Sequence, residues 1–164
     1  VTLTSLLPSL RKSIPDPFVI DRWPEWTHLT TIDVVVSGVS LLRLVELCDT
    51  PCVHIAAAVV PGTHGRPSDI EQSSVVVAQV VEIPREGALI LDADLTRVQA
   101  HVSEARLIGR ASTQHSVPFS LSAVQPLSAV QSAVLPADLR VGDLIAIPCR
   151  GAVCRRQLRS GGAS

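Results

Sequence analysis

The feature that most constrains this chain is Val75–Ile83, nine residues of which seven are Val, Ala or Ile. A run so rich in β-branched residues, followed by Pro84-Arg-Glu-Gly87, predicts a strand and a turn. Ala88–Asp92 then returns as the second arm of a hairpin. Thr31–Ser37 has the same β-branched character and ends at Gly38. Ser40 is placed to cap a helix over Leu41–Cys48, where Leu41, Leu44, Val45 and Cys48 share a face. Pro51 stops that helix, and Cys52–Val60 reads as a buried strand, completing an opening strand–helix–strand unit.

The rest of the chain agrees with a β domain. Pro61–Ser68 is a loop by its Pro, Gly and Ser content. Glu104–Thr113 can hold another strand. Residues 114–134 carry a small repeat, Leu121-Ser-Ala-Val-Gln125 and Leu127-Ser-Ala-Val-Gln131, which suits a strand-and-turn or a loop. Leu135–Ile147 is a turn leading into a buried strand. The expected fold class is mainly β, a small β-barrel or sandwich-like domain. Its expected organisation is an irregular N-terminal arm at 1–29, a β domain at 30–154 and a basic disordered tail at 155–164. In the arm, Pro8, Pro15, Pro17 and Pro24 limit helix to a short piece within Thr4–Ser13, and Trp23-Pro24-Glu25-Trp26 is expected to pack the arm onto the domain.

Composition narrows the function. Hydrophobic residues are 46% and charged residues 18%, which excludes a disordered chain. Aromatic residues are only 2%, too few for the stacking platforms of a single-stranded nucleic-acid site. A net charge of −1 creates no overall field for nucleic acid or an anionic membrane. Uncharged runs such as Val34–Leu42 and Thr50–Thr63 are too short or too broken to span a bilayer. Arg11 and Lys12 follow the first apolar stretch, the reverse of a secretory signal, so a cytoplasmic location is expected. The chain has thirteen arginines and one lysine, Lys12.

Cys48, Cys52, Cys149 and Cys154 form two close pairs spaced C-x3-C and C-x4-C, not the C-x2-C knuckles of structural zinc. They are weak metal candidates, and buried free thiols are the expected alternative. Disulfides are not expected in a cytosolic chain.

Three segments, in order, resemble one family. Asp33-Val-Val-Val-Ser-Gly-Val-Ser-Leu-Leu-Arg-Leu-Val-Glu-Leu-Cys-Asp-Thr-Pro-Cys-Val53 resembles the opening of diaminopimelate-decarboxylase-like enzymes. Val76-Val-Ala-Gln-Val-Val-Glu-Ile-Pro-Arg85 with Ala88-Leu-Ile-Leu-Asp92 resembles the hairpin that begins their β domain and that of their alanine-racemase-like relatives, the fold type III pyridoxal-phosphate enzymes. Leu135-Pro-Ala-Asp-Leu-Arg-Val-Gly-Asp-Leu-Ile-Ala-Ile147 with Gly151-Ala152 resembles a late stretch of the same domain. The three cover about half the chain.

The resemblance implies a β domain without the family's (β/α)8 barrel, which would sit between the second strand and the hairpin, where only Pro61–Ser74 is present. It also implies lost chemistry. Pyridoxal-phosphate catalysis needs a lysine for the internal Schiff base, just after the second strand. The matching stretch, Ile55–Val60, has none. The family's Gly-Ala-Tyr reads Gly151-Ala152-Val153, and its Cys-Glu-x-x-Asp stretch falls at Arg110–His115 without thiol or carboxylate. In the hairpin Asp92 matches, but the glycine two positions on is Asp94. No catalytic residue and no cofactor are therefore expected. The expected role is that of a non-catalytic relative, working by self-association as a homodimer or by binding a partner protein.

Other candidates have plainer readings. His54, His64, His101 and His115 share no metal-ligand spacing, and His54 reads as a core histidine. Asp92 and Asp94 could serve acid–base chemistry or mark the exit of a strand. Ser112 and His115 lack the elbow of a hydrolase nucleophile. Pro61–Arg66 offers two glycines and an arginine to an anion, or is a connecting loop. Arg150, Arg155, Arg156 and Arg159 are the candidate partner-binding residues, against a solvated terminus. The alternatives are a small metal-dependent or hydrolytic enzyme using His and Asp, and a degenerate decarboxylase fragment.

Overall fold

The structure, a computed structural model, describes residues 1–124 and 131–159. In chain order its regular elements are α1 (Leu3–Leu6), β1 (Thr27–Leu29), β2 (Val34–Val36), β3 (Val39–Ser40), α2 (Leu41–Cys48), β4 (Cys52–Val59), β5 (Pro67–Glu82) and β6 (Ala88–Leu91). There follow β7 (Gln99–Ala100), β8 (Arg106–Ile108), β9 (Ser116–Ala123), β10 (Gln131–Pro136) and β11 (Leu144–Arg150). Tight 3-10 turns at Pro8–Lys12, Ile20–Arg22, Val102–Glu104 and Arg155–Leu158 link them. The protein is mainly β, with one sheet curled into a half-barrel.

Strand β5 organises the sheet. On one edge it pairs antiparallel with β4, from Val59↔Pro67 to Cys52↔Val77, and then with β6 at Val80↔Leu91. On the other edge it pairs with β11, from Leu144↔Gln79 to Arg150↔Ser73. Beyond β11 lie β7 and β8; beyond β6 runs the parallel β9, followed by β10. The expected hairpin is present, but β5 begins at Pro67, so the loop expected at Pro61–Ser68 is shorter. Of the repeat, Leu121–Ala123 ends β9 and Gln131 opens β10, while residues 125–130 lie outside the described ones.

Side chains alternate across a strand, and both faces of β5 are covered from Ser73 to Ala78. Val76, Ala78 and Val80 pack with Leu89, Leu91, Phe119, Leu121, Ile145 and Ile147 inside the curl. Val75 and Val77 face a second core with Cys52, Ile108, Ala146, Trp23, Val34, Val36 and Leu41. Double burial explains why Val75–Ala78 within β5 are apolar without alternation.

The second core is roofed by the N-terminal part. The strand–helix–strand unit is not a parallel crossover, because β2 belongs to a separate three-stranded sheet, β1-β2-β3. Ser40 caps α2 as expected, its Oγ accepting the Arg43 N–H at 3.2 Å. Asp33 supports the cap: Oδ1 accepts from Val34 N (2.8 Å) and Leu42 N (3.2 Å), and Oδ2 from the Ser40 hydroxyl. Leu41 is buried, but Cys48 is exposed, because the chain leaves the helix there at Asp49.

The arm is less irregular than expected. Arg11 fastens it, donating Nη1–H to Gln114 O (2.6 Å) and Nη2–H to Ser116 Oγ (2.8 Å). Trp23 is fully buried and meets Phe18 edge-to-face at 6.4 Å. Trp26, expected to anchor with it, is instead 72% exposed. At the other end Leu158 is buried in the barrel core and its carbonyl accepts the Asp94 N–H at 2.8 Å. The tail expected to be disordered from 155 thus remains packed through Leu158; residues 160–164 lie outside the described ones.

Candidate functional site

The four cysteines do not come together. Cys52 belongs to the core under α2 and Cys149 to the core inside the curl, on opposite faces of the sheet; Cys48 and Cys154 are exposed. All four are free thiols. Burial pushes the Cys149 thiol up to about 12 and, reinforced by Cys48, the Cys52 thiol up to about 11. Among the described residues no group of three His, Cys, Asp or Glu could hold a metal ion.

The acidic pair serves the backbone. Asp92 lies where β5 exchanges β4 for β6: its Oδ1 accepts the Gln79 N–H at 2.8 Å, and its own N–H donates to Gln79 O at 3.1 Å. Asp94 closes a turn, Oδ1 accepting from Thr96 N (2.9 Å) and Thr96 Oγ1 (2.6 Å). Both therefore take the strand-exit role.

The histidines are dispersed. His64 and His115 are exposed; His54 is half-buried on β4 with an enclosed, unpartnered Nε2. Ser112 donates to Asp138, and no histidine enters that pair. In Pro61–Arg66 the Gly62 N–H donates to Asp21 at 3.1 Å, so an internal carboxylate already takes the place of an anion. Arg155, Arg156 and Arg159 are exposed, whereas Arg150 lines a cleft.

Two cavities have no counterpart in the sequence reading. One, of about 170 Å³, is lined by Arg11, Arg106 and Arg110 with Asp16 and Glu104. Arg11 and Arg110 are paired with carboxylates, and Arg106 donates Nη2–H to Asp16 O at 2.9 Å. Arg110 holds Asp143 through two bonds (3.0 and 2.7 Å) and Asp138 at 3.1 Å; the Asp143 hydrogen bonds foremost raise its pKa. Arg11 pairs with Asp16 at 3.0 Å. Burial lowers the pKa of Arg106, against the attraction of Asp16 and Glu104. This cavity joins the arm to the barrel.

The second is an open cleft of about 450 Å³ between the Ile20–Arg22 turn, the β4–β5 connection and the end of β11. Arg22, His101 and Arg150 line it, with Asp21 and Glu71. His101 stands beside β11, its N–H donating to Pro148 O at 2.8 Å. Burial, then repulsion by Arg22, lowers the His101 pKa; Glu104 opposes this and Arg150 adds to it. The three cleft residues are far apart in sequence, and no spacing signals them.

Comparison with known proteins gives little beyond this. No protein-family model matches the chain, and no curated protein matches it in sequence. Among solved structures, the arginine decarboxylase of Paramecium bursaria Chlorella virus is similar, alone and bound to agmatine. Each shares 17% identity at a TM-score of 0.39, covering 53% of this chain and 28% of the viral enzyme. The chain thus matches well under a third of that enzyme's length, and this likeness assigns neither family nor activity. No described helix is long and apolar enough to cross a membrane.

Proposed function

We propose that this chain is a non-catalytic β domain related to that of pyridoxal-phosphate decarboxylases, acting by association with a second copy or a partner protein. One observation carries the reading: the three segments that resemble that family lie side by side. The first reaches the start of β4 at Cys52 and Val53, the second holds Val76–Glu82 of β5 together with β6, and the third holds Leu144–Ile147 of β11; within these spans β5 is bonded to the other three. Where the family inserts a barrel, β4 and β5 are joined by a turn in which Val60 N–H donates to Arg66 O at 2.8 Å. The β4–β5 ladder forms without the (β/α)8 barrel.

The residues present do not fit pyridoxal phosphate. Ile55–Val60 offers only aliphatic side chains where the Schiff-base amine would stand. Lys12 is exposed on the arm's Pro8–Lys12 turn, which Arg11 fastens to the start of β9. Val153, at the position of the family's tyrosine, is buried in the barrel core. In the Arg110–His115 stretch, Arg110 and Ser112 are bound to Asp138 and Asp143. Association is supported by exposed apolar side chains, above all Trp26, held at φ 53 on the way into β1.

The test is twofold. Mixing with pyridoxal phosphate and reducing with borohydride should leave no stoichiometric adduct; a defined adduct overturns the non-catalytic reading. Light scattering across a concentration series should show a dimer that Trp26→Ser weakens. A monomer throughout, with no partner co-purifying at fixed stoichiometry, overturns association. One equivalent of tightly held zinc would favour the metal-enzyme alternative.

A further inference from the structure

The 450 Å³ cleft carries an inference independent of the association reading. It is large enough for a small metabolite, and three elements deliver cationic or basic side chains to it. Arg22 comes from the Ile20–Arg22 turn, His101 from the segment before the Val102–Glu104 turn, and Arg150 from the last residue of β11. Among the described residues neither arginine forms an ion pair. Arg22 donates a single side-chain bond, to Ser103 Oγ at 2.5 Å, leaving the rest of its fork open.

The charge around His101 decides the ligand's sign. Its electrostatic neighbours are Arg22, Arg150 and Glu104. Glu104 is already engaged, Oε2 accepting from Trp23 Nε1 and Val19 N, both at 2.9 Å. The two carboxylates on the cleft wall are Asp21, which accepts the Gly62 N–H, and Glu71, which is exposed on β5. The His101 corner is therefore net positive, unlike the 170 Å³ cavity, whose Arg11 and Arg110 are held by carboxylates. Guanidiniums with open forks bind tetrahedral oxyanions well. The apolar side of the cleft, from Ala58, Val59 and Pro61, suits a carbon skeleton.

We infer that this cleft binds a phosphate-bearing small molecule, its phosphate held between Arg22 and Arg150 against His101.

Inorganic phosphate is the probe, with the His101 imidazole followed by NMR in the full chain. Saturable phosphate binding should raise the His101 pKa, because a bound dianion offsets the guanidiniums. Arg22→Ala and Arg150→Ala should each weaken binding about tenfold, whereas Arg85→Ala, in the exposed Pro84–Gly87 turn and outside the cleft lining, leaves it unchanged. Unchanged melting temperatures of the two cleft variants keep the comparison valid; should Arg150→Ala melt early, Arg150→Gln is read instead. An equal shift with sodium chloride at matched ionic strength, an equal response to succinate, or no change on removing either arginine overturns the site.

Discussion

The carboxylate of Glu104 accepts the indole N–H of Trp23 at 2.9 Å, and with the same oxygen the backbone N–H of Val19. A residue just ahead of β8 thus holds the only fully buried tryptophan of the described chain and the arm that carries it. Glu104→Ala leaves that indole without its acceptor and should lower stability by about 1–3 kcal/mol in urea unfolding. Trp23→Ala should cost about 3–5 kcal/mol. Glu104→Gln, which keeps an acceptor, should cost less than Glu104→Ala; equal losses would show that the hydrogen bond is idle.

The two-faced burial of β5 gives a second expectation. Val76 and Val77 are both fully buried, in different cores. Replacing either with alanine should cost about 2 kcal/mol. In a strand with one wet face, one substitution would be nearly silent. Unfolding of both variants, compared at equal denaturant slope, distinguishes the cases.

The thiols should divide two and two. Nucleophilic attack needs thiolate, and with pKa values about 11 and about 12, Cys52 and Cys149 are almost wholly protonated at pH 8. Cys48 and Cys154 should react within minutes with an aromatic disulfide reagent, and the other two only on unfolding. These raised values favour the folded state below the unfolded thiol pKa, and that stability is lost as pH rises above it. Alkaline unfolding should therefore come later in Cys149→Ala, relative to its own stability at pH 7.

Asp138 governs the acid side. Burial pushes its carboxyl up, but the hydrogen bonds from Ser112 and Arg110 outweigh this and hold it below the ordinary aspartate value. The stability it contributes is present above the unfolded pKa and is lost as pH falls through the depressed one. Ser112→Ala should cost about 1 kcal/mol at pH 7 and flatten the decline toward pH 3, measured by thermal melting.

Much of the fold was legible because its signals are local. Ser40 before an apolar face specified α2, and the β-branched run with Pro84 and Gly87 specified the hairpin. The start of β5, Pro67–Gln72, was missed because it is mostly polar and largely exposed, a strand only through its partner β4. The arm's attachments were missed for another reason. Arg11 to Ser116 and Trp23 to Glu104 join residues 105 and 81 positions apart, and nothing in the local sequence marks either partner. The cleft was hidden in the same way: of its cationic residues only Arg150 was singled out, as part of a tail to which the cleft does not belong.

The turn between β4 and β5 has a consequence for how such a chain can change. Its two ends are held together by a single backbone hydrogen bond, Val60 to Arg66. Because closure entropy grows only logarithmically with length, about 0.6 kcal/mol per doubling, a longer segment could replace the turn at small cost. Every rung of the β4–β5 ladder lies on the near side of that junction. Adding or deleting an entire folded unit there is thus a local event at a hairpin tip, leaving the register of the sheet untouched.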